Sequence, residues 1–291
     1  MSDVAVPQAP PSPAISLRRE LRAIWPFLLI FGAFALLALL APLIAPYNPN
    51  SQNLLARLKP PGTTVRGIFY ALGTDEVGRD LLSRLIHGAR VSLVVALLSV
   101  MVSTVIGTTL GMIAGFYRGI VEVIIMRLVD IVLSIPAILL AIITIAVLGP
   151  GLQNVIIVLG FTRWPRYARV AYGQTLTVTG LTYMRASVFN GAGVLRLLLR
   201  HVLPNIAGAI IVVATLEFGL MVLFEAGLSF LGLGVQPPTP SWGSILSVGR
   251  NYLGTAWWIA TFPGLCLFLL VLSVNLIGDH LRDRLDPRSS R

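Results

Sequence analysis

The sequence predicts an all-α, polytopic membrane protein with about six transmembrane helices, and three observations carry that prediction. The composition is too apolar for a water-soluble domain: 56% of the 291 residues are hydrophobic, 12% are charged, and the mean hydropathy is +0.84. The apolar residues fall in runs of about the 20 residues that a helix needs to cross the hydrocarbon core. The arginines stand at the ends of those runs. The net charge of +10 therefore reads as membrane-flanking cation and not as a nucleic-acid surface, which would gather arginines and aromatics into one stripe.

The elements follow in chain order. Residues 1–17, rich in Ala, Pro and Ser, bury too little to fold and are predicted to be disordered, leaving 18–291 as the membrane domain. The first span, 25–45, follows Arg18, Arg19 and Arg22 and is too long for the core of a cleavable signal peptide, so it reads as a retained anchor. Further spans are predicted at 91–115, 131–149, 152–170, 206–231 and 256–278. The fourth is apolar only before Arg163, Arg166 and Arg169, and the fifth holds Glu217 and Glu225. The last enters through Trp257 and Trp258, residue types of the membrane interface, and Pro263 is expected to kink it without breaking it.

An even number of spans leaves both termini on one side. Placing them in the cytoplasm puts Arg118, Arg127, Arg163, Arg166, Arg169, Arg185, Arg196, Arg200, Arg282, Arg284, Arg288 and Arg291 inside or at the inner surface. The outer side keeps Arg57, Lys59, Arg66, Arg79, Arg84, Arg90 and Arg250. Arg84 and Arg90 run against the bias, close to the second span.

Two polar segments interrupt the apolar runs. In "LGTDEVGRDLLSRLIHGARVSL" (72–93), Thr74 is a candidate N-cap, with Asp75 and Glu76 at the positive end of a helix dipole. Leu81, Leu82, Leu85 and Ile86 then form a stripe, which reads as an outer interfacial helix over 72–90. In "TYMRASVFNGAGVLRLLLRHVLPN" (182–205), Thr182 caps a short helix over 183–190, and Asn190, Gly191 and Gly193 form a left-handed stop. A second helix, 194–202, carries Leu195, Leu198, Leu199 and Val202 at helical spacing, with Arg196 and Arg200 on another face; Pro204 fits the first turn of the next helix. A surface helix lying on lipid headgroups accounts for that periodicity equally well.

Charged groups inside spans are costly and default to functional candidates. Glu217 and Glu225 lie near one face of one helix, so they are candidates to line a translocation path. Glu217, the deeper, needs a partner, which a second subunit could supply, and Glu225 is placed near enough to the outer surface to be hydrated. Asp130 is expected to pair with Arg127 across a helical turn. The run Pro237-Pro238-Thr239-Pro240 stiffens an outer loop ahead of Trp242, an expected interfacial anchor. No catalytic site is read. A phosphate-binding loop needs a lysine, and the one lysine, Lys59, precedes Pro60-Pro61. His87, His201 and His280 lack ligand spacing, and the single cysteine, Cys266, lies in an apolar run.

The 182–205 segment resembles the EAA loop of ATP-binding-cassette importer permeases. Its second half stands as Arg200-His201-Val202-Leu203-Pro204-Asn205 with Gly191 in place, while Arg185-Ala186-Ser187 replaces the usual Glu-Ala-Ala and reverses one charge. The 72–93 stretch, "EAGLSFLGLGVQPPTPSWGSIL" (225–246), "MRLVDIVLSIPAILLAI" (126–142) and "NLIGDHLRDRLDP" (275–287) are similar to the C-type permease subunit of dipeptide, oligopeptide and nickel importers. The resemblance implies a type I importer permease fold in a prokaryotic cell (inner) membrane. It also implies partners: a second homologous permease, two ATPase subunits holding ATP and Mg, and an extracytoplasmic substrate-binding protein. This chain would bind no cofactor and no nucleic acid. Tyr183, Arg185, Ala186, Ser187, Asn190, Gly191 and Arg196 would carry the coupling to the ATPase. Short peptides lead as cargo, with nickel, modified peptides and other small solutes open. The competing reading is an ion-coupled secondary carrier that uses Glu217 and Glu225 as proton or cation sites; the absence of an inverted repeat and the folded polar loop weigh against it.

Overall fold

The structure, a computed structural model, describes residues 13–189 and 191–285. The expected disordered head lies outside the described residues over 1–12, whereas 13–17 already belong to the first helix, α1 (Pro13–Leu39). A short turn of helix, α2 (Ala41–Ile44), leads into an irregular cap that ends at residue 80. The cap contains a two-stranded antiparallel hairpin, β1 (Thr63–Val65) and β2 (Ile68–Tyr70), which the all-α expectation did not include. Arg66 and Gly67 turn it with φ of 51° and 81°, the paired left-handed conformations that a tight two-residue hairpin requires.

The chain then runs through α3 (Leu81–Tyr117), α4 (Gly119–Ser134), α5 (Ala137–Leu148), α6 (Leu152–Thr179) and α7 (Thr182–Phe189). It finishes with α8 (Val194–Leu197), α9 (Leu203–Phe230), α10 (Trp242–Gly249) and α11 (Trp258–Leu285). A π turn, Leu198–Val202, joins α8 to α9, so Val194–Phe230 is one continuous run of 37 residues. Pro263 sits inside α11 without ending it.

Among the described residues, three helical runs are long and apolar enough to span by themselves: Leu81–Tyr117, Val194–Phe230 and Trp258–Arg284. The expected third span is not one helix. Ile135 is held extended because it precedes Pro136, and α4 and α5 meet there at 90°. Helix α6 has the length, but its arginines dilute its apolar character, and the apolar stretch within α1 is the shorter 24–39. The count of six is therefore approximate.

The tightest contact in the bundle is between α3 and α6, and it is written in small residues. Ser99, Ser103, Gly107, Gly111 and Gly115 recur at every fourth position of α3. The hydroxyls of Ser99 and Ser103 donate to the carbonyls of Ile156 and Gly160 at 3.3 and 2.8 Å. A Cβ at Gly107 or Gly111 would stand 2.3 Å from the carbonyl oxygen of Trp164 or Ala168, and one at Gly115 would meet Thr175 at 2.8 Å. The partner advances along α6 as the position advances along α3, so the two helices run parallel. Lipid gives no hydrophobic drive to helix association, and such close backbone approach supplies the packing instead. Helices α9 and α11 pack antiparallel in the same style, with Gly219 against Asn275 and Gly278 against Thr215.

Two clusters fill the interior. The larger surrounds Trp242 and Leu270 and draws on α3, α6, α9, α10 and α11; the smaller, at the far end of α3 and α6, holds Met112, Tyr167, Met184, Leu197 and Ile206. Trp242 is 1% exposed, packs edge-on to Phe34 and donates its indole N–H to the Leu85 carbonyl at 2.9 Å, so it is a core residue and not an interfacial anchor. Trp258 is likewise buried and donates to the Thr74 carbonyl, while Trp257 stays exposed.

The expected interfacial helix over 72–90 does not form as such. Helix α3 starts at Leu81 because the Asp80 carboxylate accepts from the Ser83 N–H at 2.8 Å, and residues 81–90 are simply its first turns. Thr74 caps nothing: its buried hydroxyl donates to the Ala56 carbonyl and accepts from the Lys59 N–H, pinning the cap. Asp75 is buried between Arg79 at 2.6 Å and Arg84 at 3.4 Å, and Glu76 meets Arg79 at 2.8 Å.

The α3–α6 contact predicts that Gly111→Leu overpacks the interface at a cost of about 1–3 kcal/mol or more. The check is the thermal unfolding midpoint of the purified protein, expected to fall well below that of Gly173→Leu, whose site on α6 has nothing within 4 Å.

Candidate functional site

Two places carry the chemistry the sequence singled out: the 182–205 segment and the acidic residues of the spans.

In the 182–205 segment, α7 starts at Thr182 itself, so this residue is the first of the helix. Asn190 lies outside the described residues. Gly191 has φ of 75°, the left-handed conformation expected of a helix stop, whereas Gly193 is extended and leads into α8. The expected apolar stripe is shifted: Leu197, Leu198 and Val202 are buried, but Leu195 and Leu199 are exposed. Arg196 and Arg200 point to solvent with Ala186, and Ser187 is half-buried.

The segment is fastened to the spans at several points. Met184 is buried in the smaller core cluster with Val178 of α6 and Ile206 of α9. The Asn205 amide donates to the Tyr183 hydroxyl at 3.0 Å and to the His201 carbonyl at 2.6 Å, and the Tyr183 and His201 rings lie 6.1 Å apart. Beside the exposed Arg196 and Arg200, the segment leaves large apolar side chains outside, with Phe189 90% exposed and Leu195 70% exposed.

Glu217 is 2% exposed, and its partner is in this chain and not on another subunit. The Arg163 guanidinium donates through Nε and Nη2 to its two oxygens at 2.8 Å each, and Arg166 adds a bond at 3.1 Å. Arg163 is itself buried, 5.1 Å from the Phe224 ring centroid, and so is not at the inner surface where the charge pattern placed it. The fork satisfies a charge inside a span, where an unpaired one is costly, and it ties α6 to α9.

Glu225 is 0% exposed and not hydrated at the surface. It accepts from the Ser92 hydroxyl of α3 and from the Ser229 hydroxyl, both at 2.8 Å. Asp130 pairs with Arg169 of α6 instead of Arg127, and Glu122 accepts from the Tyr172 hydroxyl of α6, so both acids of α4 reach across to a neighbouring helix. Sequence reasoning missed these partners; the available signal was opposite charges at matching depth in different spans.

Removing one member of the buried pair strands the other, at about 3–5 kcal/mol. Arg163→Met and Glu217→Leu are each expected to destabilise the protein by that order. The double variant Arg163→Met with Glu217→Leu should lose less than the two single losses together. A double-mutant cycle on unfolding midpoints reads the difference.

With this geometry in hand, comparison with known proteins is specific. Residues 107–291 match the family described as binding-protein-dependent transport system inner membrane component, and residues 23–61 match the N-terminal TM domain of oligopeptide transport permease C. The chain is 48% identical over 252 residues to the di/tripeptide transport system permease protein DppC of Pseudomonas aeruginosa, covering 86% of this chain and 83% of that one. It is 49% identical over 253 residues to the dipeptide transport system permease protein DppC of Escherichia coli K12, covering 87% and 84%. In fold, it superposes with a TM-score of 0.56 and 24% identity on a chain of the MetNI methionine ABC transporter solved in inward-facing conformations, covering 69% of this chain and 96% of that one. Nothing in these likenesses favours an ion-coupled carrier. The chain belongs to the binding-protein-dependent inner membrane permeases, and within them to the C-type subunits of the dipeptide and oligopeptide ABC importers.

Proposed function

We propose that this permease imports short peptides, driven by ATP that separate subunits hydrolyse, with the 182–205 segment as the coupling element. The observation that carries the reading is the mechanical continuity of that segment. Helix α7 follows α6 after a two-residue turn, and α8 runs through the π turn into α9 as one rod of 37 residues. A push on α7 and α8 is thus delivered to two spans at once, and those spans are locked together by Arg163 and Glu217.

The exposed Phe189 and Leu195 suit a groove on an ATPase, and Tyr183, Arg185, Ala186, Ser187, Asn190, Gly191 and Arg196 form the contact region in this reading. A steric fit would carry that contact, because Arg185 stands where the related pattern has an acid. The clustering of Arg118, Arg196, Arg200, Arg282 and Arg284 at this end of the helices supports placing it, and both termini, in the cytoplasm. The bent α4–α5 pair exposes Ile124, Leu128, Ile131 and Ile143, an apolar face that supports a second permease as neighbour. The peptide cargo rests on the names of the two relatives at 48% and 49% identity, and the binding protein on the description of the family that residues 107–291 match.

The test is uptake into proteoliposomes holding this chain, its permease and ATPase partners, and a peptide-loaded binding protein. Peptide accumulation that persists when ion gradients are collapsed and stops when ATP is withheld is the expected result; the reverse pattern would revive the ion-coupled carrier. In the same system Gly191→Pro should uncouple hydrolysis from uptake, because proline cannot adopt the φ of 75° that the turn needs. The ratio of ATP hydrolysed to peptide imported is expected to rise.

A further inference from the structure

Of the two arginines that run against the charge bias near the second span, Arg84 is accounted for and Arg90 is not. Arg84 is buried against Asp75, and its guanidinium also donates to the Pro49 carbonyl at 3.2 Å. Arg79 is held by Asp75 and Glu76, and Arg250 stacks on the Phe230 ring. Arg90 is exposed, and among the described residues no carboxylate pairs with it.

Arg90 instead lines a cavity of about 530 Å³, at the end of the bundle opposite α7. Small-molecule sites commonly enclose about 300–1,000 Å³. Asn50, His87 and Thr239 share the lining, Val94 and Leu152 give it an apolar floor, and no acidic residue lines it. The walls are fixed in advance. The Pro49 wall is tied down by Arg84 and by the Tyr47 N–H, which donates to the Ser83 hydroxyl at 3.1 Å. The Thr239-Pro240 wall leads directly into α10, whose start is closed by a reciprocal Ser241–Ser244 capping box and whose Trp242 is anchored on Leu85. A rigid recess with an unpaired guanidinium, amide and imidazole donors beside it and apolar surface beneath fits a small carboxylate-bearing molecule.

Resting on the peptide-importer reading, which places this end outside, we propose that Arg90, with His87 and Asn50, is a carboxylate-recognition subsite at the outer mouth. The carboxylate it takes is that of the peptide cargo leaving the binding protein. An acidic side chain of the binding protein offers the same chemistry, but the recess is of small-molecule size, and the exposed Leu54, Leu55 and Phe69 of the cap give a protein partner a separate surface.

The test uses the full complex in proteoliposomes with peptide-loaded binding protein, comparing wild type, Arg90→Gln and Arg90→Lys. The maximal uptake rate is expected to fall about tenfold or more in Arg90→Gln, the loss of a charged hydrogen-bonded contact, and to stay within about twofold in Arg90→Lys. The concentration of loaded binding protein that half-saturates ATP hydrolysis should not move. Unchanged uptake in Arg90→Gln overturns the subsite, and so does equal loss in both variants. A raised half-saturating concentration with the maximal rate kept assigns Arg90 to partner docking and also overturns it. Failure of the wild type to take up any peptide, by contrast, removes the cargo reading itself, and the subsite with it.

Discussion

The backbone contact between α3 and α6 is the constraint on which the rest of the structure depends. Five small residues at every fourth position let α3 lie against α6 so closely that two serine hydroxyls reach main-chain carbonyls and three glycines admit no Cβ. In lipid this contact has no competitor of equal geometry, since hydrocarbon chains offer α3 neither hydrogen bonds nor a rigid matching surface. The other helices take their places from the pair. Ser92, on α3, holds Glu225; Arg163, on α6, holds Glu217; both acids belong to α9, which is thereby tied once to each member. Helix α4 is tied to the same pair through Asp130 and Glu122, which reach Arg169 and Tyr172 of α6.

That arrangement changes what the intramembrane acids mean. A carboxylate in a span invites a functional reading because its cost must be offset. Here the offset is visible and internal, in a two-point fork from Arg163 and a pair of serine hydroxyls, and both acids are closed to solvent. A proton or cation site must exchange its occupant, and a charge already neutralised by a fixed guanidinium has little reason to take up another. Glu217 is better understood as the fastener of α9 to α6, and Glu225 ties α9 to α3 through the Ser92 hydroxyl.

The parts of this structure legible in the sequence are those set by local chemistry. Apolar run length gave the approximate spans, and the Asn190-Gly191 pair marked a stop that Gly191 provides with a left-handed backbone. The parts that were not legible depend on distant partners. Thr74 followed by two acids has the pattern of a helix start, but those acids pair with Arg79 and Arg84, and Asp80 six residues later does the capping. Trp242 has the residue type of an interfacial anchor, yet the Leu85 carbonyl accepts its N–H inside the core. Pro136 was visible as a residue, but whether a proline kinks a helix or turns it through 90° is decided by what packs beside it. The serine and glycine stripe of α3 is readable at its four-residue spacing, but the helix it faces is not, because the carbonyls and side chains it meets belong to α6.

In the proposed coupling role of the 182–205 segment, the same fastening would carry a push at one end of the bundle to the other. Helix α3 is 37 residues long, about 55 Å at 1.5 Å per residue, and α6 runs parallel to it from Leu152 to Thr179. A small displacement where α6 meets α7 cannot be absorbed by sliding along α3, because each four-residue step of the interface is sterically filled and a shift by one residue would drive a side chain into a carbonyl. The motion must appear as rotation or translation of the whole pair. Helix α9, tied to both members and continuous with α8, has to follow. The compliant place is then the bend between α4 and α5, where Pro136 leaves the ladder broken and the surrounding side chains are largely exposed. In that reading α4 travels with the α3–α6–α9 body, to which Asp130 and Glu122 fasten it, and α5 lies beyond the one bend, an arrangement with few degrees of freedom that suits a switch between two defined states.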